Sequence, residues 1–385
     1  MKKKIGMAGA GFSCAVLARE LVKSGKYQVE IFEEKSHVAG NCHTTRDQDS
    51  QIMVHHFGPH IFHTSREDVW NYVQQFAKFG PYVNRVKAVT DKGIFSLPIN
   101  LMTINQFFGK TMSPQEAQEF VSQLGDKSIG EAHSFEEQAL KFLGKELYQN
   151  FFYGYTKKQW GVEPSTLPAS ILQRLPVRFN YDDNYYNSKY QGIPLDGYTA
   201  IVEKILDHPD IKLQLGRKFE PQQSKDFDHV FYSGPMDSFF AYNLGRLQYR
   251  SLVFEKFERS GDYQGNAVIN YCQEKVPFTR ITEHKHFAPW ETHEKTICFQ
   301  EYSKLAEPAD IPYYPLRLTD DKLLLQKYVE LALKEPKVTF IGRLGTYRYL
   351  DMHVVIGESL DLAQQLLADS EVAHWPKFSV NPQHS

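Results

Sequence analysis

The chain has 385 residues, 42% of them hydrophobic and 23% charged, with a formal net charge of -2. That length predicts two or three domains rather than one simple core, and the near-neutral balance excludes a general electrostatic pull toward nucleic acid or an anionic membrane surface. No run approaches the length of a membrane span, and Cys14, Cys42, Cys272 and Cys298 are widely spaced with no CxxC pair, which predicts free thiols in a reducing, cytoplasmic setting. The chain opens with Met1, Lys2, Lys3 and Lys4 ahead of an apolar stretch, which mimics a secretory signal. Glycines at 6, 9 and 11 interrupt that stretch and charged Arg19 and Glu20 follow it. It reads instead as a strand over 4–8, a glycine turn, a helix over 12–24 and a second strand over 27–32 that ends at Glu33. Gly9, Gly11, Phe12 and Ser13 then stand where a βαβ unit cradles a pyrophosphate at a helix start. Glu33, 24 positions after Gly9, suits a carboxylate on an adenosine ribose. Cys14 takes the place of the third glycine of that pattern.

Residues 103–176 carry helical apolar spacing, clearest over 116–124 and 135–152. The stretch 180–187 is polar and aromatic and reads as a loop. A helix over 200–206, a strand over 211–215 and an apolar strand from His229 to Tyr232 return the chain to the parallel sheet. Strands over 249–257, 266–272, 279–285 and 296–302 follow in antiparallel succession. From Val338 the chain rejoins the nucleotide-binding part, ends in a helix over 360–367, and leaves a loose tail from Val372. The fold expected is α/β: a Rossmann-like FAD-binding domain (1–80, 197–242 and 315–385), an inserted helical domain (98–176) and an antiparallel sheet domain (81–97, 177–196 and 243–314). Asp351 is placed to cap a final helix whose N–H groups face the cofactor. The absence of a second GxGxxG argues against a built-in NAD(P)H domain. His55, His56, His60 and His63 invite a metal, but Gly58 and Pro59 break any helix between them and no cysteine or carboxylate completes a site nearby, so a metal stays a minor alternative and none is assigned.

Longer stretches are more specific. Residues 58–64 (GPHIFHT), 154–161 (GYTKKQWG), 174–179 (RLPVRF), 190–194 (YQGIP), 279–285 (TRITEHK) and 342–353 (GRLGTYRYLDMH) resemble the bacterial UDP-galactopyranose mutases, in order, over about 4–367. Cys14 and Ala39, where that family usually carries glycines, depart from its pattern. The resemblance implies interconversion of UDP-galactopyranose and UDP-galactofuranose, with N5 of reduced FAD as nucleophile at the anomeric carbon and an external, NAD(P)H-derived reductant. It further implies a homodimer, and a product used in galactofuranose-containing cell-surface polysaccharide. It assigns Arg174 and Arg280 to the diphosphate, where a planar bidentate cation is favoured. Phe151, Phe152, Tyr155, Thr156 and Trp160 fall to the uridine pocket. Tyr185, Tyr314 and Tyr349 supply hydroxyls, and Asn84 and Asn270 polar contacts. Asn41, His60, Ile61, His63, Arg343, Leu350, Asp351, Met352 and His353 line the flavin. Two other classes share the nucleotide fold: an FAD amine oxidase or desaturase, and a nucleotide-sugar binding protein without catalysis.

Overall fold

The computed structural model describes residues 1–169, 172, 177–369 and 371–382. A five-stranded parallel sheet runs in the order Ile211–Leu215, Tyr27–Glu33, Lys3–Ala8, His229–Tyr232, Val338–Phe340. Its central strand is buried continuously from Ile5 to Ala8, as expected when helices cover both faces. On one face the helix Phe12–Lys23 packs against Gly197–Leu206 and Met352–Ala368. On the other, Tyr328 and Val329 of Thr319–Ala332 join Phe227, Val230 and Phe340 in a second core.

A seven-stranded sheet stands beside it, in the order Tyr314–Pro315, Tyr249–Ser260, Lys295–Leu305, Arg280–Glu283, Val268–Tyr271, Val86–Thr90, Gly93–Leu97. It is antiparallel except where Val268–Tyr271 runs parallel to Val86–Thr90. That junction joins segments far apart in sequence, which local alternation does not reveal. Tyr190–Pro194, just after the predicted polar stretch 180–187, pairs with Phe62–Thr64 and Phe79–Gly80.

The helical segment comprises Leu101–Phe108, Pro114–Leu124, Phe135–Leu147 and Gly154–Trp160. Ser113 with Glu116 and Ser134 with Glu137 form capping boxes that fix two of its starts. Between the last two helices, Tyr148–Tyr153 widens into a π-helical turn, a distortion that often accompanies functional sites.

Two expectations at the C-terminus are corrected. The final helix is Met352–Ala368, longer than periodicity suggested. The tail is not loose: Trp375 and Phe378 are buried, and Phe340 donates to the Lys377 carbonyl while accepting from Ser379 N–H. A few separated aromatics gave no periodic signal, yet they cover the sheet edge.

Candidate active site

The cleft at the carboxyl ends of the parallel strands encloses about 790 Å³, within the usual range for a ligand site. Gly9 adopts φ +99°, and a Cβ there would meet Ser233 Oγ at 2.4 Å. Gly11 differs: a Cβ would meet nothing within 4 Å, so its bare backbone faces open space in the cleft. The helix that follows has no side-chain cap and no acidic residue in its first turn, leaving its positive end available to an anion. Glu33 is buried, accepting from Ala10 N–H at 2.8 Å and Lys35 N–H at 2.9 Å. Phe12, Ser13, Asn41, His60, Arg343 and Met352 line the same cleft. Ile61 is buried in a hydrophobic cluster, while Leu350 offers its carbonyl to Arg343.

The two departures from the glycine pattern have different consequences. Cys14 is fully buried with Sγ 3.5 Å from the Ala8 carbonyl, and burial pushes its thiol up to about 12, so it acts as an inert packing group. Ala39 holds φ +72°, a left-handed conformation that disfavours a Cβ. The turn survives because Ala39 N–H bonds the Ala10 carbonyl and Cys42 N–H bonds the Ala39 carbonyl, both at 2.9 Å.

The C-terminal segment closes the cleft. Gly342 adopts φ +71°, and a Cβ there would lie 2.4 Å from Ser13 Oγ. Arg343 is held by the Leu350 carbonyl at 3.1 Å and the Tyr313 carbonyl at 3.2 Å. Asp351 occupies the N-cap position of Met352–Ala368, but its side chain makes no capping hydrogen bond. The expected side-chain cap is thus corrected, and those N–H groups remain open.

From Arg343 the site extends to a wall of phenols. The guanidinium lies 5.7 Å from the ring centroid of Tyr314 and 5.1 Å from that of Tyr349, and these two rings stack. Arg280 donates to Oε1 of Glu301 through Nε at 2.9 Å and through a terminal nitrogen at 2.8 Å. Glu301 is only 1% exposed and its Oε2 has no hydrogen-bond partner among the described residues. Burial alone lowers Arg280, but Glu301 and the neighbouring Tyr155 and Tyr314 outweigh it and hold the guanidinium well above its ordinary value. Burial raises Tyr155, Tyr185 and Tyr314, so their hydroxyls stay protonated as donors.

Register explains how this set converges: Asn270 pairs with Arg280, and Arg280 with Glu301, in one row across three strands. The amide oxygens of Asn84 and Asn270 are buried without a protein partner among the described residues. Unmet acceptors in a buried site point to a ligand or ordered water. Thr156 is buried and Trp160 half-buried on the helix Gly154–Trp160. Phe151 packs on Phe95 and Phe107, and Phe152 on Phe135, so both rings belong to the helical core. Arg174 lies outside the described residues.

His63 stacks on Tyr186 at 3.7 Å and donates to or accepts from Ser188 Oγ at 2.9 Å. Burial, with His353 beside it, pulls it down to about 4. Potential ligand atoms of His63, Asp351 and His353 all lie within 4.8 Å of one another, which corrects the expectation that no carboxylate stands near these histidines. Sequence separation of almost 290 positions concealed it. His55 is buried, stacked on Phe287, and its Nδ1 accepts from His60 N–H, a role in packing. Sequence reasoning missed Glu301 and Tyr186: the first sits in a plain alternating strand, while the second lies in the aromatic stretch 180–187, the signal that marked it.

Glycine turn, uncapped helix, buried ribose-type carboxylate and parallel sheet together define a Rossmann-type dinucleotide-binding protein. The model of an NAD(P)-binding Rossmann-like domain matches residues 8–76, and that of the UDP-galactopyranose mutase family matches 150–349. A "Probable UDP-galactopyranose mutase" of Klebsiella pneumoniae is 57% identical over 98% of both chains. A dTDP-fucopyranose mutase of Escherichia coli is 49% identical, covering 96% of this chain and 99% of its own. A crystal structure of reduced UDP-galactopyranose mutase superposes with a TM-score of 0.74 at 14% identity, over 100% of this chain and 97% of that one. The chain belongs to the UDP-galactopyranose mutase family and is an isomerase. Among the described residues no helix is long and apolar enough to cross a membrane.

Proposed function

We propose that this enzyme interconverts UDP-galactopyranose and UDP-galactofuranose using reduced FAD, and that the dinucleotide cleft and the Arg280 face are its two halves. The observation that carries this is Arg280, a buried cation braced by Glu301 and ringed by protonated phenols, joined to the cleft through Arg343. The cleft suits FAD: open space at Gly11, an uncapped helix start, Glu33 fixed at the ribose position, and free N–H groups at Met352–Ala368. When bound and reduced, FAD supplies a nucleophilic nitrogen at the anomeric carbon of the sugar.

The chain's own residues orient and discharge the leaving group. Arg280 stabilises charge that grows on the departing diphosphate. Tyr185, Tyr314 and Tyr349 donate to phosphate oxygens, and Arg174 is the second cation of this reading. Tyr155, Thr156, Trp160 and the backbone around Phe151 and Phe152 take the uridine, with Asn84 and Asn270 as polar contacts. Neutral His63, beside Asp351 and His353, keeps positive charge away from the ring edge while holding a proton acceptor there. His60, Ile61 and Leu350 exclude water. The three-part domain division, a homodimer, cytoplasmic location, a NAD(P)H-derived reductant and a galactofuranose-containing surface polysaccharide belong to this reading.

The relative named for dTDP-fucopyranose favours one alternative, a thymidine-linked deoxysugar on the same machinery. The test is turnover of UDP-galactofuranose by the purified protein with and without dithionite, with dTDP-fucofuranose in parallel. Turnover of the uridine substrate only after reduction supports the proposal. Bound flavin without turnover of it in either state overturns the substrate assignment, and faster turnover of the thymidine substrate selects the alternative.

A further inference from the structure

Lys158 lies on the helix Gly154–Trp160, between Tyr155 and Trp160, yet among the described residues its ammonium meets no carboxylate. It points into a ring of backbone oxygens: Tyr271 at 2.7 Å, and Gln273, Val276 and Phe278 at 2.9 Å. An ammonium has only three protons. Four acceptors at nearly equal distance therefore form a carbonyl cage, of the kind that replaces the hydration shell of a monovalent cation. Four dipoles aimed at one point repel one another unless positive charge sits among them.

All four carbonyls belong to one connection, which leaves the strand Val268–Tyr271 just after Asn270 and delivers the chain to Arg280. The same turn closes on the same helix at two further points. A Cβ on Gly154 would lie 2.4 Å from the Cys272 carbonyl oxygen and 2.8 Å from Glu274 N, so only bare backbone admits the approach. Lys157 bridges Glu274 at 2.8 Å, though on the exposed surface, where such a pair contributes little. Lys158 is the partly buried fastening between the helix that carries Tyr155, Thr156 and Trp160 and the turn that aims Arg280.

We propose that Lys158 is a positioning residue that acts as a built-in monovalent cation. Its ammonium organises the 272–279 turn and thereby sets Arg280 at the right distance from the aromatic helix to span a nucleoside diphosphate. This rests on the nucleoside-diphosphate reading of the site. Lys158 touches neither substrate nor cofactor in this account.

The experiment measures UDP affinity by calorimetry for the wild type and for Lys158→Ala, each with ammonium, potassium or lithium chloride at one ionic strength, and splits kcat from KM in turnover. Lys158→Ala is expected to bind UDP at least tenfold more weakly in lithium chloride. Ammonium recovers most of that loss, potassium part of it, and the wild type responds to none of them. KM rises while kcat at saturation stays within threefold. Wild-type protein that fails to bind UDP overturns the nucleoside-diphosphate reading and this inference with it. Wild type that binds alongside an equally tight Lys158→Ala overturns the inference alone, as does a weakened variant that no cation rescues. Should Lys158→Ala not fold, Lys158→Gln keeps N–H donors, on a side chain one bond shorter, without the charge. Weakened UDP binding at an unchanged melting temperature supports the cation role, and unaltered binding refutes it.

Discussion

Arg280→Lys isolates what the guanidinium fork contributes. Arg280 uses Nε and one terminal nitrogen on a single Glu301 oxygen, at 2.9 and 2.8 Å, which leaves the other terminal nitrogen to the diphosphate proposed above. A lysine has one nitrogen, which either stays with buried Glu301 or turns to the ligand. A hydrogen bond to a charged group is worth roughly 1.5–3 kcal/mol. Losing one such bond to UDP weakens binding about ten- to a hundredfold. The ammonium still neutralises Glu301, so the fold loses little, and thermal unfolding shifts by no more than a few degrees. Calorimetric titration of UDP into oxidised protein at low and high salt reads the effect directly. A dissociation constant within threefold of wild type, at an unchanged melting temperature, would refute the assignment of Arg280 to the diphosphate.

Gly11→Ala is expected to fold with wild-type stability, because its Cβ meets nothing, yet to purify with little bound flavin; full yellow occupancy counts against FAD at this turn. Ala39→Gly relieves the φ +72° strain, and after the entropy cost of glycine it stabilises the flavin-free protein by about 0.5–1 kcal/mol in urea unfolding, a loss of stability being the contrary result. Burial holds His229 and His284 down to about 3 and His60 to about 4, all below the ordinary 6.5. The unfolded chain takes up these protons first, so stability is full above pH 6.5 and falls as acid carries the pH through 6.5 toward 3; a urea midpoint equal at pH 7 and about 4.5 contradicts this. Trp375→Ala opens a cavity against Tyr27, His229 and Phe231 and costs about 3–5 kcal/mol, whereas a truly loose tail would tolerate it unchanged.

The parallel sheet was legible because both periodicity and glycine chemistry are local: residues 4–33 carry strand, turn and helix in continuous order. Return strands at His229–Tyr232 and Val338–Phe340 were legible as apolar runs ending in glycine. What escaped was set by partners distant in sequence. Glu301 looks like any polar residue of an alternating strand, and only pairing with Arg280 gives it a role. Phe151 and Phe152 sit in a π-helical turn with their rings against Phe95, Phe107 and Phe135, neighbours that helical spacing does not name. Asp351 stands at the expected helix start, though its side chain leaves the N–H groups uncapped. Whether that end faces a cofactor depends on tertiary placement that no cap signature encodes.

The contact between Gly342 and Ser13 also orders events in time. A chain emerging from the ribosome has its phosphate-cradling turn at once, but Arg343 and Met352, which wall the same cleft, arrive about 330 residues later. Until then the strand His229–Tyr232 lacks its neighbour Val338–Phe340, and the groove has only one side. Capture of a dinucleotide is therefore expected to wait for the segment from Val338, and a product stalled before residue 338 to hold the turn without retaining its ligand. The same arrangement makes the segment from Gly342 a seal: cleavage just before it is expected to release a bound dinucleotide while leaving the βαβ unit intact.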